Sequence, residues 1–282
     1  MNIAVIGLGL IGGSICKSLK KHTFHHIMGL DMDKATVKKA VDQNAIDEEI
    51  TAERLGEANL TVICLYPEAI CEFVRNNADN FKKGSIVIDT CGVKKVIVDK
   101  CTPLLEKRDV LFVGTHPMAG REFSGFDYST DDLFDNASFI ITPSEKTPQI
   151  AIDLLSTLAG SIGFNKVVIS TPEKHDQVIA YTSQLAHIVS NAYVKSPSVL
   201  EFNGFSAGSF MDLTRVAKLN EDMWTSLFMC NKEALLNELN HIITSISEYR
   251  DAISSDDHEL LHDLLKNGRV LKEKCTEMYG KQ

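Results

Sequence analysis

The sequence lacks the features that mark several protein classes. Its seven cysteines are an odd number with no CxxC pair, which is typical of reduced thiols in a cytoplasmic protein and argues against a disulfide scaffold. No apolar run is long enough to span a bilayer. The chain opens directly on the apolar run MNIAVIGLG, without the basic segment and cleavage site of a signal peptide. We therefore expect a cytoplasmic protein with no membrane partner.

Basic residues are fewer than acidic ones: the chain has 29 Lys and Arg and 38 Asp and Glu, which gives a net charge of -9. Binding to nucleic acid needs a basic face, so we expect no nucleic-acid partner. The same charge repels anions at long range, and an anionic substrate would need a local Arg or Lys cluster. What is present is ample apolar content, 44% over 282 residues, which suits two packed domains.

Short apolar strands alternate with helical segments up to residue 169. Most strands are continuous apolar runs, as in a parallel sheet covered on both faces, which indicates a doubly wound α/β domain. The predicted strands are 2–6, 26–30, 60–65, 85–88, 110–113, 138–141 and 166–169. The predicted helices are 11–21, 34–43, 67–77, 94–101 and 148–162.

The pattern changes at Ser170-Thr171-Pro172-Glu173, which is a typical helix start. Beyond it only helical periodicity is evident, over 175–194, 222–249 and 256–278. We therefore predict two domains, 1–169 and a helical domain 170–282. The last two helices carry more apolar surface than a small helical domain can cover, so we expect a homodimer joined through this half.

The segment GLGLIG at 7–12 follows the first strand and opens a helix. Gly7 allows the tight turn, Gly9 lets the backbone approach a pyrophosphate, and Gly12 lets the helix pack on the strand. The free N–H groups at the helix N-terminus then face the phosphates. This is the Rossmann-type dinucleotide fingerprint. We expect Leu8 and Ile11 to contact the cofactor together with the three glycines.

An acidic residue, Asp31, ends the second strand at the spacing that the fingerprint requires. It suits a free ribose 2′-hydroxyl and would repel a 2′-phosphate, so we predict NAD; the nearby Lys34 keeps NADP open as an alternative. We expect Leu65, Pro67 and Cys91, at the same edge of the sheet, to line the cofactor site as well.

A second cluster, GTHPMAGRE at 114–122, directly follows a buried strand. It therefore lies at the carboxyl edge of the sheet, where open α/β folds bind ligands. His116 can accept the proton of a substrate hydroxyl as hydride leaves the same carbon. The alternative is a structural histidine held by a hydrogen bond. We expect Gly120 and Glu122, in the same loop, to contact the substrate.

A third cluster, DLTRVAK at 212–218, places Arg215 in the helical half, with Trp224 nine residues further on. A guanidinium binds carboxylate through two parallel hydrogen bonds, which lysine cannot copy. The alternative is a surface arginine that pairs with Asp212 or another acid of its own helix.

Together GLGLIGGS, HPMAGRE and DLTRVAK…MW resemble the prephenate/arogenate dehydrogenase family of tyrosine biosynthesis, over nearly the whole chain. The resemblance implies oxidative decarboxylation with hydride transfer to the nicotinamide. It also implies that His116 is the catalytic histidine, that Arg215 binds a substrate carboxylate, and that His187 lies in the substrate site. Glu122 and Asp212 match acidic residues near the mouth of that site.

Three positions depart from the family pattern. Its usual SHLPH reads SQLAH here, at 183–187. Gly92 replaces a serine that helps to hold the catalytic histidine. The candidates to replace it are a hydroxyl of Thr115 or Thr90, a water molecule and, least suited because a thiol bonds weakly, Cys91. We hypothesise that a water or a threonine takes over this role and that Gly92 adopts a positive φ.

Other functions remain as alternatives. Arogenate dehydrogenase differs in an amino group on the substrate, and a non-catalytic NAD-binding regulator would share the fold. The β-hydroxyacid dehydrogenases combine similar domains, but their GxxGxGxxxK-type motif is absent. The HELLH segment at 258–262 matches the zinc-protease pattern. We interpret it as a solvated helix face with Leu260 and Leu261 packed inward, and we expect no metal site.

Overall fold

The computed structural model describes residues 1–121, 123–201, 205 and 208–280. The chain forms two compact units, residues 1–232 and 233–282. Glu122, a predicted substrate contact, lies outside the described residues.

The first unit is built on an eight-stranded sheet in the order β3-β2-β1-β4-β5-β6-β7-β8. All neighbouring strands are parallel except β6 and β7, which are antiparallel. The strands are β1 (Asn2–Ile6), β2 (His26–Leu30), β3 (Glu48–Glu49), β4 (Leu60–Ile63), β5 (Ile86–Asp89), β6 (Leu111–Pro117), β7 (Ser138–Thr142) and β8 (Lys166–Ile169). The predicted, mostly parallel α/β sheet is confirmed.

Helices cover both faces of this sheet. Along β1, Ile3 and Val5 belong to one apolar cluster, whereas Ala4 and Ile6 belong to the other. Alternate side chains of a strand point to opposite faces, so both faces are core, which is why these strands read as unbroken apolar runs. The helices are α1 (Leu10–His22), α2 (Lys34–Asp42), α3 (Pro67–Asn77), α4 (Lys95–Glu106) and α5 (Gln149–Ser161).

After β8 the described chain is helical. Thr171 caps α6 (Pro172–Ile179) by accepting the N–H of Lys174, as the predicted helix start requires. A π-helical turn, Ala180–Leu185, joins α6 to α7 (Ala186–Tyr193). Further along are α8 (Gly208–Thr214) and α9 (Glu221–Cys230). The continuous helix predicted over 222–249 is wrong, because the chain breaks at Asn231 (φ -120°).

The second unit consists of most of α10 (Lys232–Ser254) and of α11 (His258–Tyr279). Both helices expose many apolar side chains, among them Ile243, Ile246, Ile253, Leu265 and Leu271. Within the described ranges, no helix has the length and apolar content needed to cross a membrane.

Candidate active site

The glycine-rich loop leaves open space in front of the N-terminus of α1. Gly7 has φ +88°, and a Cβ there would lie 2.6 Å from the carbonyl oxygen of Cys64. A Cβ on Gly12 would lie 1.9 Å from the carbonyl oxygen of Gly7. At Gly9, by contrast, a Cβ would meet no described atom within 4 Å. The loop therefore has the conformation of a phosphate-binding turn, with room for a ligand where Gly9 faces outward.

Asp31 lies at the end of β2 and ties that strand to the loop. Its carboxylate accepts the N–H of Leu8 at 2.7 Å and the N–H of Asp33 at 2.9 Å. Lys34, the cation that could attract a 2′-phosphate, forms an ion pair with Glu49 on β3. Glu49 thus neutralises the charge that favoured NADP, and the arrangement favours a free ribose.

The remaining predicted cofactor residues lie at or near this edge of the sheet, and not all of them can direct a side chain at a ligand. The side chains of Leu8 and Ile11 pack in or against the core, so at least Leu8 presents backbone rather than side chain to a ligand. Leu65 follows β4, and Pro67 is the first residue of α3. Burial raises the pKa of the Cys91 thiol to about 12. Cys91 therefore stays protonated near neutral pH and is a weak nucleophile.

His116 is the penultimate residue of β6, and its ring belongs to a chain of three side chains. Its Nδ1 lies 2.9 Å from Nε2 of His175, whose Nδ1 lies 2.7 Å from Oδ1 of Asp176. The Asp176 carboxylate also accepts the backbone N–H groups of Lys94 and Lys95, at 2.8 and 2.9 Å. Sequence reasoning missed His175 and Asp176. The available signal was the adjacent His-Asp pair in the first turns of a well-capped helix.

Two parts of the sequence hypothesis for Gly92 need correction. The hydroxyl of Thr115 donates to the carbonyl of Asp89, so it is not the partner of His116, and the ring is bonded instead at Nδ1 by His175. Gly92 is absent from the described glycines with positive φ. A Cβ there would lie 3.8 Å from Nε2 of His116, an ordinary contact distance. Neither steric crowding nor backbone conformation therefore explains the glycine.

A buried ion pair supports the end of β6. The side chains of Lys94 and Asp89 are fully buried, and Nζ of Lys94 also donates to the carbonyl of Thr115 at 2.6 Å. Burial, His175 and the Lys94 ammonium together hold the pKa of His116 well below its ordinary value. His116 is therefore neutral near pH 7, the form that can accept a proton.

His187, the second predicted histidine, lies near enough to Arg215 to feel its charge. The ring of His187 packs 4.0 Å, between centroids, from that of Trp224, and its Nδ1 lies 2.8 Å from the carbonyl of Ser183. Burial and the Arg215 charge lower the pKa of His187. Arg215 is exposed just after α8 and makes no ion pair within the described ranges. The alternative pairing with Asp212 is thus not formed, and the guanidinium faces solvent with free donors.

Helix α9 has residues close to both His116 and His187. Trp224, which packs on His187, and Leu227 are three residues apart and share a helix face. Leu227 lies 3.7 Å from the Cβ position at Gly92, beside His116. One face of α9 therefore extends from the His116 region to the His187 region. Two of the three candidate side chains, His116 and His187, therefore lie near this face.

Gln184, one of the departures from the SHLPH pattern, has a structural role. It is buried, and its Oε1 accepts a hydrogen bond from Nδ2 of Asn231 at 2.8 Å. The same Nδ2 lies 2.9 Å from the carbonyl of Asp176. The π-helical turn is thereby joined to the residue that ends α9. Gly120 lies in the exposed loop after β6, and its contact with substrate remains a prediction.

The HELLH segment lies at the start of α11. Leu260 is 44% exposed, so its predicted inward packing is wrong. His262 is exposed and lies 3.6 Å from the carboxylate of Asp263. In the part of the chain that the structure describes, no group of three or more His, Cys, Asp or Glu side chains could hold a metal ion.

A dinucleotide loop, an acidic residue at the end of β2 and a neutral histidine at the carboxyl edge of the sheet define an NAD-dependent dehydrogenase. The family assignment follows from sequence. Residues 15–169 match the prephenate dehydrogenase nucleotide-binding domain, and residues 171–267 match the prephenate dehydrogenase dimerization domain. The chain belongs to the prephenate dehydrogenase family, which confirms the resemblance inferred from the motifs.

Individual relatives agree with this assignment. A prephenate dehydrogenase of Bacillus subtilis is 32% identical over 96% of this chain and 75% of its own length. The crystal structure of prephenate dehydrogenase from A. aeolicus with hydroxyphenyl propionate and NAD+ has a TM-score of 0.86 at 29% identity, covering 98% of both chains. A Synechocystis arogenate dehydrogenase has a TM-score of 0.82 at 28% identity, covering 97% of this chain and 99% of that one.

Proposed function

We propose that this protein catalyses the NAD-dependent oxidative decarboxylation of prephenate to 4-hydroxyphenylpyruvate, a step of tyrosine biosynthesis. The observation that carries the proposal is the neutral His116 at the carboxyl edge of a dinucleotide-binding sheet, with Arg215 unpaired in the described structure. NAD+, when bound, accepts the hydride. His116 accepts the proton of the ring hydroxyl at Nε2, which makes no hydrogen bond with any described residue. The ring carboxylate leaves as carbon dioxide, and aromatisation drives the reaction.

The residues of the first unit fit NAD. The loop at Gly7, Gly9 and Gly12 would hold the pyrophosphate against the N-terminus of α1, and Asp31 would accept from the ribose hydroxyls. Leu65, Pro67 and Cys91 would line the nicotinamide side of this edge. The ion pair between Lys34 and Glu49 supports NAD over NADP.

The substrate site is assigned to residues of the helical half and of the loop after β6. Arg215 would bind a substrate carboxylate through paired hydrogen bonds and so overcome the net charge of -9. His187, with its Nδ1 directed at the carbonyl of Ser183, would present Nε2 to the substrate. Gly120 and Glu122, which follow β6 in the sequence, would contact the substrate as well. The likeness to a Synechocystis arogenate dehydrogenase supports arogenate as the second candidate substrate.

The assembly, domains and location are proposed on separate grounds. The match of residues 171–267 to a dimerization domain supports a homodimer formed through the helical half. The two family matches meet between 169 and 171, which supports the domain boundary at 169/170. All seven cysteines are free, which supports a cytoplasmic location.

One assay tests the reaction. Reduction of NAD or NADP is followed by absorbance with prephenate and with arogenate, and we expect the NAD–prephenate pair to give the highest kcat/KM. His116→Asn should lower kcat by about 10²–10⁴-fold, the usual effect of one positioned proton acceptor, while NAD still binds. Because its pKa is lowered, wild-type activity should stay level from pH 8 to below the ordinary pKa of histidine and fall only in more acid solution. An active His116→Asn enzyme would contradict the assignment.

A further inference from the structure

Behind His116 lies a buried chain of hydrogen bonds that the reaction described above does not yet use. It runs from His116 to His175 and on to Asp176, with contacts of 2.9 and 2.7 Å. The side chain of His175 is fully buried, and that of Asp176 is 7% exposed. His116 belongs to β6, and the other two residues belong to α6. The contact between His116 and His175 therefore joins residues that are 59 positions apart in sequence.

The chemistry of these groups allows a single arrangement of protons. The Asp176 carboxylate accepts two backbone N–H groups, from Lys94 and Lys95, so it also acts as acceptor toward His175. His175 must then carry its proton on Nδ1. Burial lowers the pKa of His175 despite Asp176, so the ring is neutral and its Nε2 is an acceptor. His116 must therefore donate from Nδ1, which leaves its own Nε2 unprotonated.

We propose that His175 and Asp176 are positioning residues that hold His116 in the tautomer with a free Nε2 lone pair and thereby make it the proton acceptor of the reaction. The proposal rests on the proposed function for its kinetic consequences. It fixes the ring of His116 without a side chain at position 92, whose Cβ position lies on the Nε2 side of the ring. The ring is held from its Nδ1 side by His175, and the Nε2 side is left to the substrate hydroxyl.

The surrounding charges are consistent with this role. When the substrate O–H bond breaks, its proton moves to Nε2 of His116, and the Nδ1–H bond to His175 is retained. The resulting imidazolium is linked through His175 to the Asp176 carboxylate. Lys94 disfavours that cation, and Asp89, its buried ion-pair partner, reduces the effect. Among the described residues, His175 and Lys94 act on the charge of His116, and Asp176 and Asp89 act on that of His175.

The first test measures tautomers without substrate. Two-bond ¹H–¹⁵N NMR spectra of histidine-labelled full-length protein distinguish Nδ1–H from Nε2–H rings, and the His116→Asn and His175→Gln variants assign the two signals. We expect both rings as Nδ1–H in the wild type. Oδ1 of Asp176 accepts from both Lys94 N–H and His175, so an asparagine could keep its oxygen there, and leucine is the informative replacement. In Asp176→Leu no side-chain acceptor remains for the Nδ1–H of His175, so both rings should lose the fixed Nδ1–H tautomer and show mixed signals. A wild-type His116 with Nε2–H, or an unchanged pattern in Asp176→Leu, overturns the proposal.

The second test is kinetic. Asp176→Leu should lower kcat at least tenfold and leave KM for prephenate within about twofold, because His116 is no longer held with Nε2 unprotonated while Arg215 is untouched. His175→Gln keeps an acceptor for Nδ1–H, so its kcat should exceed that of His175→Leu at least tenfold. The matched control is Asp99→Leu, an exposed position on α4 that should retain wild-type kcat. Circular dichroism and NAD binding, followed by Trp224 fluorescence, establish that each variant is folded.

The outcomes separate the two proposals. If prephenate is not turned over but the tautomers change as expected, the assignment of substrate fails and that of the positioning pair stands. If Asp176→Leu is folded and binds NAD but keeps its kcat and its pH profile, the pair has no role beyond stability. Equal loss in His175→Gln and His175→Leu would likewise show that packing, and not the hydrogen bond, is what His175 provides.

Discussion

Asp31 has a structural role beside the ligand role that we propose for it. Both of its carboxylate oxygens already accept backbone N–H groups, of Leu8 and Asp33. A carboxylate has about four acceptor sites, so two hydrogen bonds leave capacity for ribose hydroxyls. The sequence motif predicted the ligand role. It could not predict the hydrogen bond to Leu8, which spans 23 residues.

Replacing Asp31 should therefore have two effects. Asp31→Ser should weaken NAD and narrow the preference over NADP, because both the ribose hydrogen bonds and the repulsion of a 2′-phosphate are lost. It should also lower the free energy of unfolding by about 1–3 kcal/mol, because two backbone donors lose their acceptor. Titration with both cofactors and urea denaturation measure the two effects. Unchanged cofactor preference would mean that another acidic residue reads the ribose.

At Arg215 the prediction concerns geometry rather than charge. Arg215→Lys should be nearly as damaging as Arg215→Ala, because lysine keeps the charge but loses the paired donors. We expect KM for prephenate to rise at least tenfold, which is about 1.4 kcal/mol of lost binding, with a smaller effect on kcat. The control is Arg269→Lys on α11, an exposed position that should have no effect. Wild-type kinetics in Arg215→Lys would refute the two-pronged contact.

At the scale of elements, local sequence predicted most of the first unit. Strands β1, β2 and β8 begin and end as predicted, because each is an apolar run bounded by polar or turn residues. Two features of the sheet were not predicted from the sequence. The short β3 (Glu48–Glu49) has no apolar pattern, and β6 extends through His116 because its second half pairs with the antiparallel β7. Pairing between distant strands leaves little trace in a local pattern.

The break between α9 and α10 is set by a buried polar residue that helical periodicity does not reveal. Asn231 is 6% exposed and donates to the Asp176 carbonyl and to Gln184. Asn231→Ala should lower the free energy of unfolding by about 1–3 kcal/mol, because Gln184 Oε1 loses its described donor. Urea denaturation measures this. Asn237→Ala, at an exposed position of α10, should leave stability unchanged or slightly higher, since alanine has the better helix propensity. Equal stabilities in the two variants would contradict the role of Asn231.

For the whole molecule, the sequence offered candidates for the chemistry, but it did not predict how they are held. His116, His187 and Arg215 lie in motifs that can be read within a few residues. The support of His116 depends on His175, 59 residues away, and on a buried lysine that resembled an ordinary helix start. Such contacts arise only when the sheet and α6 pack together, so they follow from tertiary structure and not from periodicity.

The last prediction concerns assembly. Ile243, Ile246 and Ile253 recur at helical spacing on α10 and are 57–62% exposed, so their apolar surface is available to a partner. A second copy is the expected occupant, because residues 171–267 match a dimerization domain. Light scattering at micromolar concentration should give twice the 31.2 kDa of one chain.

Ile243→Glu with Ile246→Glu should shift the mass toward one chain, because burying two carboxylates in an apolar interface is unfavourable. Ser245→Glu, an exposed polar position on the same helix, should leave the mass unchanged. A wild-type protein with the mass of one chain would refute the dimer, and a double variant that remains dimeric would place the interface elsewhere.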